Sequence, residues 1–65
     1  MDNNQQMLEY IVKCIRETGN DPHAQIQGYV CSGNECYITR NGDARNLIKA
    51  VEMSILEHYV TRHSA

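Results

Sequence analysis

The stretch from Gly28 to Arg45, GYVCSGNECYITRNGDAR, most constrains how this chain can fold. It holds three of the four glycines and two of the three cysteines, and it joins two segments whose apolar residues recur with helical spacing. We therefore expect the chain to change direction here, between helices. A chain of 65 residues forms one domain, and its own core is marginal.

The residues up to Gly33 are predicted to form two helices. The first runs from about Asn4 to Thr18, because apolar residues recur at i, i+3 and i+7, and Gly19 follows as a C-terminal cap. The second begins at Asp21-Pro22, a capping residue followed by a proline that suits the first turn, and it ends at Gly33. Alternating apolar residues between positions 24 and 30 also allow a strand, but the flanking Asp-Pro and Ser-Gly favour the helix.

The last helix is predicted from about Ala44 to Thr61, with Asp43 as its N-cap. Its apolar stripe is nearly five turns long and is formed by Leu47, Ile48, Val51, Ile55, Leu56, Tyr59 and Val60. This face is broader than one short partner helix can cover. Arg62 and His63 near its end suit the negative pole of the helix dipole.

Between the second and last helices, the segment ECYITR (35–40) is predicted to be extended, because it is short, rich in β-branched residues and alternating. It has no partner strand in its own chain, so the same segment of a second subunit is the simplest mate. The sequence thus predicts a mostly α fold, with three helices and one short extended segment between helices 2 and 3, in an intertwined homodimer. Residues 1–6 would form a flexible N-terminus and residues 7–65 a single helical dimerisation domain. The expected dimer interface comprises Tyr37, Ile38, Val51 and Ile55.

Composition argues against several classes of function. The net charge is −2 and the six basic residues are scattered, which argues against a nucleic-acid partner, because phosphate binding needs clustered Lys and Arg. The N-terminus lacks the features of a signal peptide, and no apolar run approaches a membrane span. We therefore expect a cytoplasmic protein with no membrane partner. Three cysteines do not suit a closed disulfide framework, so free thiols are predicted.

No arrangement of residues predicts catalysis, a cofactor or a metal site. Cys31 and Cys36 are five positions apart, and a zinc site needs a second pair of ligands beside them. The other candidate ligands do not supply such a pair on one face of a helix; they are Cys14, His23, His58 and His63. Buried, inert thiols are the favoured interpretation. Ser32-Gly33-Asn34 lacks the lysine and glycine spacing of a phosphate loop and fits a helix cap followed by a turn.

Arg45 stands in the first turn of the predicted last helix, where a positive charge opposes the helix dipole. Two interpretations remain open. Arg45 has a specific partner, a carboxylate or a carbonyl near the Gly33 turn, or it is a solvated surface residue.

A pattern of residues between positions 22 and 46 runs from a proline through Gln-Ile, Gly-Tyr-Val and Ser-Gly to a tyrosine and Ala-Arg-Asn. The positions that carry it are Pro22, Gln25, Ile26, Gly28, Tyr29, Val30, Ser32, Gly33, Tyr37, Ile38, Ala44, Arg45 and Asn46. In this pattern the chain resembles the IreB family, small cytosolic proteins of Gram-positive bacteria. With the helix that follows, the resemblance covers about 40 residues.

The resemblance implies a small homodimer with a regulatory, non-catalytic role, tied to Ser/Thr-kinase signalling in cell-envelope stress and antibiotic resistance, and so another protein as partner. The chain departs from the family at Asn34-Glu35-Cys36, where the family has Asp-Pro. The family's phosphorylatable threonines lie in a longer N-terminal arm, whereas the first threonine here is Thr18, so control through that arm is not carried over. The alternative function is a small nucleic-acid-binding dimer of the ribbon-helix-helix type, which shares a short strand before a helix.

Overall fold

The computed structural model describes residues 3–62, and its first helix, α1, spans Asn3–Glu17. Leu8, Ile11, Cys14 and Ile15 form its buried face, which matches the predicted stripe. Gly19 follows at φ +81°, a backbone conformation that a glycine adopts without strain. The helix includes residues 3–6 of the expected flexible N-terminus. The flexibility itself stays a prediction.

Helix α2 spans Pro22–Ser32, and the structure confirms both of its predicted ends. The Asp21 carboxylate accepts a hydrogen bond from the His23 backbone N–H at 3.1 Å. At the other end Gly33 is left-handed, with φ +73°, and its N–H donates to the Tyr29 carbonyl at 2.7 Å. The helix, and not the alternating strand, is therefore formed between positions 24 and 30.

The extended segment predicted at residues 35–40 is wrong. Residues Glu35–Tyr37 form a 3₁₀ turn, and the described residues, 3–62, contain no strand. The turn forms because the Asn34 side chain accepts from the Cys36 N–H at 2.9 Å and the Ile38 N–H donates to the Glu35 carbonyl at 2.9 Å. These local bonds satisfy backbone groups that a partner strand would otherwise have satisfied.

The single long helix predicted from Ala44 to Thr61 is also wrong, because the chain breaks it in two. Helix α3 spans Ala44–Leu47 and continues as a 3₁₀ turn over Ile48–Ala50. Val51 is then extended, with φ −83° and ψ 135°, and helix α4 spans Met53–Arg62. The Glu52 N–H, freed by the break, donates to the Asn4 side chain at 3.2 Å. The described chain thus has four α-helices where three were expected.

Asp43 occupies the position before α3, but it does not act as the predicted backbone cap. Its backbone is left-handed, with φ +65°. Its carboxylate accepts instead from the Asn46 side chain at 2.8 Å, so the aspartate ties the turn to the first turn of the helix.

The break at Val51 explains the breadth of the apolar stripe. Because the chain is extended at Val51, α3 and α4 do not form one straight helix, and stripe residues from before, at and after the break are all buried in the core. The core consists of Leu8, Ile11, Cys14, Ile15, Ile26, Tyr29, Ile38, Ala44, Ile48, Val51 and Leu56. Ile38 and Val51, assigned in advance to a subunit interface, are only 1% and 5% exposed within the single chain.

The predicted intertwined homodimer is therefore overturned as a description of the fold. It rested on an unpaired strand and on an apolar face without a partner. The structure replaces the first with a 3₁₀ turn. Of the second, it buries Ile48, Val51 and Leu56 within one chain and leaves the rest partly covered, and it gives no sign of a dimer. His63 lies outside the described residues. Within residues 3–62, every helix falls short of the length and apolarity that a transmembrane helix requires.

Candidate functional site

The family-motif positions meet where α2 packs against the connecting segment, residues 33–43. Gly28 lies directly under the ring of Tyr37. A methyl group added at Gly28 would lie 2.5 Å from Cδ1 and 2.9 Å from Cγ of that ring, well inside ordinary contact. Tyr37 is itself 53% exposed. A glycine inside a helix normally lowers its stability, but Gly28 provides the surface on which an exposed aromatic ring rests.

Ser32, Gly33 and Asn34 form the predicted helix end followed by a turn. The Ser32 hydroxyl donates to the Gly28 carbonyl at 2.7 Å and accepts from the Asn34 N–H at 3.1 Å. All of these polar groups bond within the turn, so the turn shapes the chain where it leaves α2. Tyr29, one turn before it, is buried in the core.

Arg45 has a specific partner, as one of its two interpretations expected. It reaches back over the connecting segment, where Nε donates to the Ile38 carbonyl at 3.1 Å and Nη2 donates to the Cys36 carbonyl at 3.4 Å. A guanidinium presents several donors in a fixed plane, which suits two carbonyls that lie two residues apart. Arg45 therefore secures the connecting segment from the side of α3, next to the fully buried Ala44.

Glu35 and Lys49 form an ion pair at 3.5 Å between the connecting segment and the turn after α3. The hydrogen bond of the Glu35 carboxylate with its own backbone, followed by the charge of Lys49, lowers the pKa of Glu35 below its ordinary 4.5. The side chains of Lys49 and Glu35 are 50% and 40% exposed, so water screens the pair and it contributes little to stability.

The three cysteines have different environments. Cys14 is buried, as expected, whereas Cys31 and Cys36 are exposed, so the expectation of buried thiols is wrong for those two. All three are free thiols, as predicted. Among residues 3–62, no three His, Cys, Asp or Glu side chains are grouped as metal ligands. His63, which was considered in that set, is outside these residues.

A groove between α1 and α4 was not predicted from the sequence. It has a volume of about 320 Å³ and is lined by Gln5, Leu8, Glu9, Val12, Arg16, Ile55, His58, Tyr59 and Arg62. Ile55, the half-buried member of the expected interface set, is one of its walls. The available signal was that Arg16 and Arg62 continue the apolar stripes of their helices at helical spacing from Val12 and Ile55.

The surroundings of Tyr59 indicate how polar this groove is. Burial is the main cause that raises the pKa of its phenol above the ordinary value of 10.0, and the nearby Arg16 charge opposes that rise. The phenol is thus partly desolvated and lies within electrostatic reach of a guanidinium from the other helix.

The comparison with known families agrees with the motif positions. The family model described as IreB regulatory phosphoprotein matches residues 1–64, nearly the whole chain and well beyond the segment that carries the motif. The chain therefore belongs to the IreB family of regulatory phosphoproteins.

Proposed function

We propose that this protein is a non-catalytic, cytoplasmic regulator that acts by binding another protein in signalling linked to cell-envelope stress and antibiotic resistance. The observation that carries the proposal is the family match over residues 1–64. The motif residues support it, because they are used to hold the connecting segment in one conformation. They form no constellation of nucleophile and base.

The exposed ring of Tyr37 supports a protein partner. It projects from a 3₁₀ turn that is fixed on both sides, by Gly28 below and by the Arg45 hydrogen bonds above. Tyrosine is enriched at protein interfaces, because its ring buries a large area while its hydroxyl finds a polar partner. A ring held in advance loses little conformational freedom on binding.

The ribbon-helix-helix alternative depends on a strand that pairs across a dimer and enters a DNA groove. The segment expected to supply it is a 3₁₀ turn, and residues 3–62 contain no strand. This observation favours the regulator over the nucleic-acid-binding protein.

The proposal is tested by deleting the gene in its native host and restoring it on a plasmid. We expect the deletion to change the minimal inhibitory concentration of an antibiotic that targets cell-wall synthesis, and to leave that of a ribosome-targeting antibiotic unchanged. The plasmid copy should reverse the change. An unaltered response to both drugs, or an equal change in both, would contradict the proposal.

A salt titration separates the alternative. Nucleic-acid binding that is tight at low salt and falls steeply as salt rises would support the alternative, because phosphate contacts release counterions. We expect no retarded band in a gel-shift assay with duplex DNA.

A further inference from the structure

The groove between α1 and α4 has an apolar floor with polar ends. The two helices meet at their N-terminal ends, where Asn4 accepts from the Glu52 N–H at 3.2 Å, and the groove extends from there toward their C-terminal ends. The floor consists of Leu8, Val12, Ile55 and the ring of Tyr59. Leu8 is fully buried and the other three are partly buried, so the floor is apolar surface that the fold leaves half covered.

The two ends of the groove differ in charge. Gln5 and Glu9 lie toward the N-terminal end of α1, and the Gln5 amide donates to the Glu9 carboxylate at 3.4 Å, so that carboxylate has a partner. Arg16 and Arg62 lie at the other end, each in the last turn of its helix, with His58 one turn before Arg62. On a chain of net charge −2, this end of the groove concentrates positive charge from two separate helices.

Within residues 3–62, the guanidiniums of Arg16 and Arg62 differ from the other cations in contact with the fold. Arg45 and Lys49 are both engaged, by the carbonyls of the connecting segment and by Glu35. In contrast, no hydrogen bond or ion pair with any residue between 3 and 62 engages the side chain of Arg16 or Arg62, and both residues are exposed. Two unengaged cations beside an apolar floor are complementary to a molecule that carries an anionic head and an apolar body.

We propose that the groove between α1 and α4 is a binding site for a small carboxylate with an elongated apolar tail. The carboxylate lies between Arg16 and Arg62, and the tail lies over Val12 and Ile55. Guanidinium groups match carboxylates through paired, charge-assisted hydrogen bonds. The site is independent of the proposed signalling role and is not one of the motif positions.

The size of the groove favours a small ligand over a docked helix. A volume of about 320 Å³ is at the lower end of the range of small-molecule sites, which is about 300–1,000 Å³. From Gln5 to Arg16 the α1 wall is about 16 Å long at the helical rise per residue. A volume of this size spread over that length corresponds to a narrow groove, which suits an alkyl chain.

The test is a titration of ¹⁵N-labelled full-length protein with sodium octanoate, followed by amide chemical shifts. We expect saturable shifts confined to amides of α1 and α4 along the groove. Octan-1-ol, which has the same tail without the charge, should bind at least about tenfold more weakly, because it forms no charge-assisted bonds.

Two double variants of matched charge locate the site. Arg16→Gln with Arg62→Gln should weaken octanoate binding at least about tenfold. Lys13→Gln with Arg40→Gln removes the same number of charges from exposed residues that do not line the groove, and it should leave the affinity unchanged. All four side chains are exposed, so both variants are expected to keep the circular dichroism spectrum of the wild type.

Three outcomes would overturn the proposal. The first is an absence of saturable shifts with octanoate, and the second is equal weakening by the two double variants. The third is a dependence of the α1 and α4 shifts on protein concentration without octanoate, accompanied by self-association in sedimentation, since another copy of the chain would then cover the groove. None of these outcomes depends on the result of the gene deletion.

Discussion

Replacing Gly28 with alanine should reveal whether the Tyr37 ring rests on the backbone of α2. In an unobstructed helix interior, this change stabilises a protein by about 0.5–1 kcal/mol, because glycine loses more conformational freedom on folding. Here the new methyl group would lie 2.5 Å from Cδ1 of Tyr37, whereas ordinary contacts begin near 3.4 Å. The ring would therefore have to move by nearly an ångström.

Overpacking of this kind costs about 1–3 kcal/mol. Setting about 2 kcal/mol of overpacking against about 1 kcal/mol of helix propensity, we expect Gly28→Ala to lower the free energy of unfolding by about 1 kcal/mol. The decisive comparison is the same substitution in a Tyr37→Ala background. With the ring gone, the three atoms that lie nearest to the new methyl group are removed, and Gly28→Ala should stabilise the protein by about 0.5–1 kcal/mol.

Urea denaturation followed by circular dichroism measures all four members of this double-mutant cycle. The expected coupling between the two positions is about 1.5–2 kcal/mol, in the range found for residues in direct contact. If Gly28→Ala is stabilising in both backgrounds and the coupling is near zero, the ring does not lie on Gly28. The proposal that the exposed Tyr37 ring is already fixed in place before a partner binds would then be refuted.

Three further predictions concern single contacts. Arg45→Ala removes charge-assisted hydrogen bonds to two carbonyls, each worth about 1.5–3 kcal/mol at most. A net loss of about 2 kcal/mol should lower Tm by about 8–16 °C in a domain of this size. The control is Arg40→Ala, which should change Tm little, because Arg40 is exposed and its side chain makes no hydrogen bond among residues 3–62. Gly42→Ala should lower Tm more than Gly19→Ala does. Both glycines have positive φ, but only at Gly42 would a methyl group meet side chains, those of Cys14 and Tyr10. Equal decreases in Tm in thermal melts would show that backbone strain alone matters. Because the pKa of Glu35 is lowered in the folded state, its stabilising contribution is fully present above pH 4.5 and is lost as the pH falls through the folded-state pKa. Lys49→Met should raise the NMR titration midpoint of Glu35 only in part, since the hydrogen bond with its own backbone is the larger cause of the lowered pKa. An unmoved midpoint would contradict the ion pair.

The parts of the fold that could be predicted are those whose signals are local in sequence. Helix α2 is the clearest case. Asp21 and Pro22 mark its start and Gly33 marks its end. Asp21 and Gly33 act through hydrogen bonds to nearby residues, and Pro22 stands at the first position, where its missing N–H has no helical partner to lose. A single sequence contains all of that information. The helical spacing of Leu8, Ile11 and Ile15 predicted α1 for the same reason.

The connecting segment could not be predicted, because side chains from distant helices, in addition to the local bonds of Asn34 and Glu35, fix its conformation. The pattern of residues 35–40 is that of a strand, yet the Thr39 N–H bonds to the side chain of Gln25 at 3.0 Å and the carbonyl of Ile38 bonds to Arg45. These partners come from α2 and α3, and nothing in the local pattern indicates them. Tertiary contacts thus outweigh β-propensity, which is in any case strongly dependent on context.

The break in the last helix has the same origin. Val51 can leave the helix because the Glu52 N–H finds an acceptor in Asn4, 48 positions away in the chain. A sequence pattern shows that residues 47–60 are apolar on a broad face, but it cannot show that the chain bends to bury that face on itself. The error about the helix produced the error about the dimer. The groove escaped prediction for the same reason, because its two walls belong to helices at opposite ends of the chain.

The position of these bonds also determines how the protein can contact a partner. An exposed strand edge recruits other chains because its backbone groups are unpaired. Here the side chains of Asn34, Gln25 and Arg45 bond to four backbone groups of residues 36–39, which are the N–H groups at 36 and 39 and the carbonyls at 36 and 38. These groups cannot pair with an incoming strand at the same time, so we expect side chains to dominate recognition by this segment. Tyr37 is the large apolar residue that it exposes, which is why the coupling between Gly28 and Tyr37 tests the proposed partner surface as well as the packing of α2.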